Sequence, residues 1–319
     1  MNKRIFTGFL CLLVAGLCFA GGAREDTPTR LDVSYVISPF NLPQIVMKQR
    51  GMLEESFKEI GIEVVYHEIN SGAKQSQAMA AGSLDIGGVM NSTSVLLARG
   101  AGNNIEIISA FSRPVGIFSI VASDPSIKSA ADLAGKKVAG PKGTVLHQLL
   151  AAAMESEGLS MDDLEFLQMG LPQASSAMLS GHVDAALLAG SLAIRAENSG
   201  AHIVLDAEGL ISPKLVICAR EGFADSYPEL VQRYIECHRQ ALAWMREHLD
   251  QALEMGAAEQ GISLEEARIL YERTRFADSF EAEDIASLQD DIDFMLENRM
   301  LSKAMDPKSC FASSALSEL

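Results

Sequence analysis

Asp85 and Asp184 are the residues that first suggest catalysis. Each follows a glycine by three positions, in Gly82-Ser-Leu-Asp85 and Gly181-His-Val-Asp184. Two carboxylates in unlike surroundings can divide general-acid and general-base duties. These two, however, fall at matching positions of a repeated segment. Met79 answers to Met178, Gly82 to Gly181, and the polar loop at Asn91 to Gly190. Equivalent places in two copies of one unit point to anchors at turns. Gly140-Pro-Lys-Gly-Thr144 looks like a phosphate loop but lacks the Gly-x-x-x-x-Gly-Lys-Ser/Thr spacing, and no Gly-x-Ser-x-Gly elbow occurs. His67, His147, His182, His202, His238 and His248 show no metal-ligand spacing, and there is no His-Glu-x-x-His. The expectation is a chain without enzymatic chemistry, bound metal or cofactor.

The elements that carry these residues alternate. Leu31 to Ile37 reads as a strand running into Ser38-Pro-Phe-Asn-Leu-Pro43, a polar, proline-rich loop that opens a helix from Gln44. A helix near Leu53–Ile60 and a strand near Ile62–Ile69 follow. Ser71 is placed to cap a helix over Lys74–Ala81, Leu84–Val89 is a strand, and Ser92 or Thr93 can cap the next helix. The same order returns with a strand at Lys136–Gly140, the loop Pro141-Lys-Gly-Thr144, a helix at Val145–Glu157, and strands at Leu164–Gln168, Asp184–Leu188 and His202–Asp206. Leu215–Ala219 is a further strand, and from Phe223 the pattern is helical, with Ser263-Leu-Glu-Glu266 as a capping box. Alternating strands and helices predict an α/β fold with mostly parallel sheets and a C-terminal helical extension. Two crossings, near Val115–Ser119 and Glu208–Lys214, give two lobes: 30–117 with 212–306, and 118–211. A polar tail over 307–319 is expected to be flexible. Arg113, just before Pro114 at the first crossing, suits an anionic ligand or a hinge contact, with the hinge favoured.

Residues 1–20 read as an export signal. Lys3 and Arg4 open it, Ile5 to Leu17 form an apolar run too short for a bilayer, and Cys18-Phe-Ala20 precedes Gly21-Gly-Ala. Two processing routes fit: cleavage after Ala20, or lipidation at Cys18, where Leu17 departs from the small residue usually found before the cysteine. The exported chain is expected to be soluble or lipid-anchored. A net charge of −16 argues against nucleic acid and against drawing an anion in by the global field. Any anion must be held by local donors. Cys218, Cys237 and Cys310 are too few and too scattered for a disulfide framework. Cys218 reads as a small core residue, and a Cys218–Cys237 bridge stays open.

Several segments, in order, resemble one family. These are Gln49-Arg-Gly-Met-Leu-Glu with Ile60-Gly-Ile-Glu-Val, then Ala81-Gly-Ser-Leu-Asp-Ile-Gly, then Ser129-Ala-Ala-Asp-Leu-Ala-Gly-Lys-Lys-Val-Ala, then Gly181-His-Val-Asp-Ala. The chain resembles the periplasmic substrate-binding proteins of ABC importers, in the SsuA/TauA/ThiY-like (NMT1-like) branch for aliphatic sulfonates, taurine, nitrate and thiamine-pyrimidine precursors. The likeness runs from about Leu31 to Val204 and is looser in the C-terminal helices, where Asp293-Phe-Met-Leu-Glu-Asn-Arg-Met-Leu is similar to the closing helix.

The resemblance implies a two-lobed periplasmic-binding-protein-like (type 2) fold. It implies a monomer that closes on a small, anionic organic solute and delivers it to permease subunits in the inner membrane, without chemistry on the solute. Mapped by motif, the ligand-binding residues would be Ser38, Phe40 and Asn41, Ser71 and Gly72, Asn91, Ser92 and Thr93, Gly143 and Thr144, and Gly190 and Ser191. His147, one turn into the following helix, can add a donor, though a core or solvated place fits it equally. Helix N-termini suit such a ligand because their first amides are free and carry partial positive charge. The second-lobe loop has Thr144 where the sulfonate branch often has serine. No Trp or Tyr stacking pair is present; only Phe40, Phe111 and Phe118 could face a flat ring. The Cys-rich motif of the related pyrimidine synthases is missing. Uptake of a thiamine-pyrimidine or other heteroaromatic precursor, or an exported ligand sensor, is the alternative.

Overall fold

The computed structural model describes residues 28–317; the expected export signal over 1–20 and Cys18 lie outside the described residues. β1 (Arg30–Tyr35) leads into α1 (Leu42–Gln49) and α2 (Met52–Lys58), followed by β2 (Glu63–Glu68), α3 (Gly72–Ala80), β3 (Ile86–Asn91), α4 (Ser92–Gly100) and β4 (Glu106–Ser112). The chain then builds a second unit from β5 (Phe118–Ala122), β6 (Lys137–Gly140), α5 (Val145–Ser156), β7 (Glu165–Gln168), α6 (Leu171–Leu179), β8 (Ala185–Ala189), α7 (Ser191–Asn198) and β9 (His202–Asp206). It returns through β10 (Leu215–Ala219) and ends in α8 (Phe223–Ser226), α9 (Pro228–Glu247), α10 (Leu249–Gln260), α11 (Leu264–Thr274), α12 (Ala282–Glu297) and α13 (Ser313–Leu316).

Two five-stranded sheets result, in the orders β2-β1-β3-β10-β4 and β7-β6-β8-β5-β9. They are topological copies. β1 runs parallel to β2 and β3, as β6 does to β7 and β8. In each sheet the fourth strand is antiparallel to its neighbours, and that strand is the one delivered by a crossing: β10 after β9, β5 after β4. The sheets are therefore mostly parallel, and their exceptions are the crossovers. Central β3 and β8 are apolar runs buried on both faces, as strands covered by helices on both sides require. Edge strands β2 and β7 keep polar, half-exposed side chains.

The aspartates of the repeat hold the starts of these strands. The Asp85 carboxylate accepts from the Asp32 amide at 3.0 Å and pairs with Arg220 at 2.8 Å. Asp184 accepts from the Lys137 amide at 2.8 Å. Each backbone answers in kind, Asp85 N–H to Asp32 O and Asp184 N–H to Lys137 O, both at 2.9 Å. These are the structural anchors that the repeat predicts.

α9 packs on α1 and α2, and α10 on α1 and α11, so the C-terminal helices brace the first sheet. Two departures from the sequence reading stand out. The stretch expected to be a flexible tail from 307 instead packs: Cys310, Phe311, Ala312 and Ala315 are buried, and the Ala312 amide donates to Ile107 O on edge strand β4 at 2.9 Å. Those four residues face inward, which outweighs the polar composition of the segment. α7 was not foreseen, because it starts at a glycine with no side-chain cap to announce it. Cys218, Cys237 and Cys310 are free and buried, so the Cys218–Cys237 bridge is not formed.

Candidate functional site

The helices that follow parallel strands start at one end of each sheet, opposite the end held by Asp85 and Asp184. Most of these starts are uncapped. Asn41 before α1, Ser71 before α3, Thr144 before α5 and Gly190 before α7 make no side-chain cap bond. Two differ: at α4, Asn91 Oδ1 accepts from the Ser94 amide at 2.9 Å, and at α6, Gln173 Oε1 accepts from the Gly170 amide at 3.2 Å. An uncapped N-terminus keeps amide donors and the positive end of the helix dipole for another partner.

The two ends meet. Ser94 Oγ at the start of α4 donates to Gly143 O before α5 at 2.9 Å, and Thr93 Oγ1 donates to Gln148 Oε1 on α5 at 2.6 Å. On the other side, Gly190 lies against the Pro39 carbonyl that follows β1, and Ser191 Oγ donates to Gln260 Oε1 at the end of α10 at 2.7 Å. Gln260 in turn donates to Ile37 O. The loops after β1, β3, β6 and β8 thus line one seam between the sheets, and the seam is shut.

Each residue assigned from the sequence has a definite place. Ser38 and Asn41 share the loop after β1, where Asn41 Nδ2 donates to Val36 O and Ser38 O at 2.7 and 3.1 Å. Phe40 is fully buried, its ring turned toward Gly256 on α10. Gly72 sits so close to α4 that an added Cβ would fall 2.5 Å from Ser94 Oγ. Ser71 precedes it, half-buried. Ser92 is buried and its amide donates to Lys214 O at 3.0 Å. Thr144 Oγ1 turns back to Pro141 O at 2.9 Å. His147 rests on Phe166, with ring centroids 5.0 Å apart. Thr93, Gly143, Gly190 and Ser191 form the bridging contacts above. Arg113 forks onto Asp284 of α12, with Nε to Oδ1 at 2.9 Å.

Three of these residues hold polar atoms sealed from solvent and unpartnered: Ser38 Oγ, Asn41 Oδ1 and His147 Nδ1. A buried polar group without a partner costs free energy unless something else satisfies it. The larger hollow lies elsewhere, an open groove of about 710 Å³ on the outer face between α2 and α9, lined by Met52, Ser56, Arg233 and Cys237 among others. It contains none of Asn41, Ser71, Thr144 and Gly190.

Burial lowers the His147 pKa from 6.5 to about 4, helped by the nearby Lys142 charge, so the ring is neutral at pH 7. Burial does the same to His238, which stacks on Phe111. A depressed folded-state pKa means the unfolded chain binds more protons below pH 6.5, so these histidines favour the fold above that value and the benefit is lost as pH falls towards about 4. The melting temperature is expected to fall between pH 6.5 and 4, and His147→Phe to flatten part of that fall in a pH series of thermal melts.

The sequence reading missed the partners contributed from far along the chain: Gln148, Gln260, Lys214 and Asp291. Gln148 Nε2 donates to Asp291 Oδ1 of α12 at 2.6 Å, and Lys214 is buried beside the same carboxylates. Burial raises the Asp291 pKa, with Lys214 opposing, and lowers that of Lys214, with Asp291 opposing. One signal was available for Gln148: it is a polar residue inside the apolar run Val145–Met154.

Residues 48–252 match the family described as NMT1/THI5 like. The chain belongs to that family. A Bacillus subtilis relative designated an aliphatic sulfonates-binding protein is 28% identical over 301 residues, covering 93% of this chain and 90% of its own. Among solved structures of the same shape, the alkanesulfonate-binding protein SsuA from Xanthomonas axonopodis pv. citri, bound to MOPS, aligns with a TM-score of 0.80 at 22% identity, over 90% of this chain and 99% of that one. The desulfurization enzyme DSZB aligns with a TM-score of 0.65 at 19% identity, over 90% and 97%. One fold is therefore shared by a binding protein and an enzyme, and the choice between those roles rests on the site.

Proposed function

We propose that this NMT1/THI5-like protein is an extracytoplasmic solute-binding component of an ABC importer. It captures a small anionic organic solute, of the aliphatic sulfonate, taurine or nitrate class, in the seam between its lobes and delivers it to the permease. The observation that carries this reading is the meeting of uncapped helix N-termini from two topologically equivalent sheets, with Ser38 Oγ, Asn41 Oδ1 and His147 Nδ1 sealed nearby without partners. Amide donors on opposing lobes favour an anion and favour closure around it. The names of the sulfonate-binding relatives support the ligand class. No helix among the described residues is long and apolar enough to cross a membrane.

The enzyme alternative has little to work with at the seam. A thiol nucleophile needs thiolate character and access. Cys218, Cys237 and Cys310 are buried, and burial pushes each thiol pKa up. A thermal-shift screen tests the ligand class. An alkanesulfonate at a hundred times its Kd should stabilise the fold by about 2.7 kcal/mol through mass action. A neutral aromatic that shifts the melting point while no anion does would overturn the class.

A further inference from the structure

Gln148 occupies a position that nothing in the ligand site explains. It belongs to α5 of the second sheet, is almost fully buried, and touches the other lobe at both ends of its amide. Its oxygen accepts from Thr93 Oγ1 on α4 at 2.6 Å, and its nitrogen donates to Asp291 Oδ1 on α12 at 2.6 Å. The amide nitrogen lies on the Asp291 carboxyl oxygen and the amide oxygen on Thr93, whose hydroxyl gives its single proton to it. A second contact in the same region points the same way: Asn298 at the end of α12 donates to Glu155 of α5 at 3.1 Å.

α12 bonds to the first crossing and presents its carboxylates to the second. Asp284, two turns before Asp291, holds Arg113 just after β4. Lys214, just before β10, is buried among Asp284, Asp290 and Asp291, with its ammonium donating to Ser212 O at 3.0 Å.

We propose that Thr93, Gln148 and Asp291 form a latch that holds the lobes shut without any contribution from solute, with Gln148 as its positioning residue. Closure carries Gln148 into a slot between α4 and α12, and opening must break both of its hydrogen bonds at once. Because α12 also bonds to the first crossing and faces the second, the latch and the hinge move together. Thr93 in the closed form is an interlobe donor, its proton committed to Gln148 and withheld from an anion. The solute is then bound by a protein whose closed form is already populated, which reduces the part of the binding free energy spent on closure.

Small-angle X-ray scattering of the ligand-free protein tests this directly. The wild type should scatter as the shut structure does. Gln148→Leu and Thr93→Val should each shift the curve towards a larger radius of gyration, with the closed-to-open ratio falling about tenfold for the loss of a buried hydrogen-bonded link. The double variant should shift no further than Gln148→Leu alone, since the two residues act through one contact. Thr93→Val leaves the Gln148–Asp291 bond in place, so it carries the test if an unpaired Asp291 keeps Gln148→Leu from folding. A ligand-free wild type that already scatters as an open form, or variants whose curves superpose on a shut wild type, would overturn the latch. The measurement needs no solute, so a protein that shows the shift but binds no anion would sink the solute-binding reading and leave the latch standing.

Discussion

Gly190→Ala is expected to raise the dissociation constant for solute by on the order of a hundredfold while leaving a folded protein. Gly190 has φ 53° and ψ −126°, a conformation that strains any residue with a Cβ. An added Cβ would also lie 2.4 Å from Pro39 O and 2.8 Å from Pro39 C, across the seam. Both atoms are backbone and cannot swing aside as a long side chain would. The clash exists only when the lobes are shut, because Pro39 follows β1 of one sheet and Gly190 follows β8 of the other. Opening relieves the clash at the expense of binding. A closure penalty of about 2.8 kcal/mol corresponds to that hundredfold loss. The strain term acts in both forms and should lower the melting temperature by only a few degrees. Calorimetric titration of the variant against wild type checks the expectation, and equal affinities would mean that solute binding does not bring these two loops together.

The second large effect belongs to stability. Gly88→Ala should cost about 3–5 kcal/mol and lower the melting temperature by roughly 10 °C. A Cβ at Gly88 would fall 2.0 Å from Gln44 Nε2, 2.7 Å from Tyr234 Oη and 3.1 Å from Ser34 O. Gln44 reaches from α1 under the β1 loop. Its amide accepts from Val36 N–H and donates to Ser34 O, both at 3.0 Å. Ser34 Oγ accepts from the Gly88 amide at 2.9 Å and donates to Gln75 Oε1 at 2.8 Å, and Gln75 donates on to Val89 O at 2.9 Å. This buried network joins α1, α3, β1 and β3 beneath the seam, and a side chain at Gly88 would meet its Gln44 amide and the Ser34 carbonyl that Gln44 bonds. Displacing Gln44 leaves several buried donors and acceptors unpaired. A melting temperature within about 2 °C of wild type would show that the network can rearrange.

The local side of this architecture was legible in the sequence. Strands announced themselves as apolar runs ending in polar loops, and the echo of Gly82-Ser-Leu-Asp85 in Gly181-His-Val-Asp184 disclosed the repeat. It also gave the aspartates their role, because an anchor must recur wherever its unit recurs. The crossing at Arg113-Pro114 is legible as well, though Asp284, the partner that Arg113 finds there, is not. The loops along the seam were legible for the same reason, since helix starts after parallel strands are local events.

What escaped was set by contacts between distant parts of the chain. Gln148 looks like a lone polar residue on an apolar helix until Asp291 and Thr93 are brought to it. Ser191 and Thr93 look like free hydroxyls until Gln260 and Gln148 accept their protons. The C-terminal segment looks frayed until β4 offers its edge. No periodicity encodes such partners, which depend on how one sheet is set against the other.

The most direct test of the central claim is calorimetric titration of the purified protein with ethanesulfonate and, in parallel, with a neutral alcohol of the same chain length, at two salt concentrations. Dipolar donors in a sealed seam on a protein of net charge −16 should bind the sulfonate and ignore the alcohol, with no loss of affinity as salt rises. Binding of the alcohol as tightly as the sulfonate, no heat with any anion of the class, or the appearance of a converted product would contradict the account.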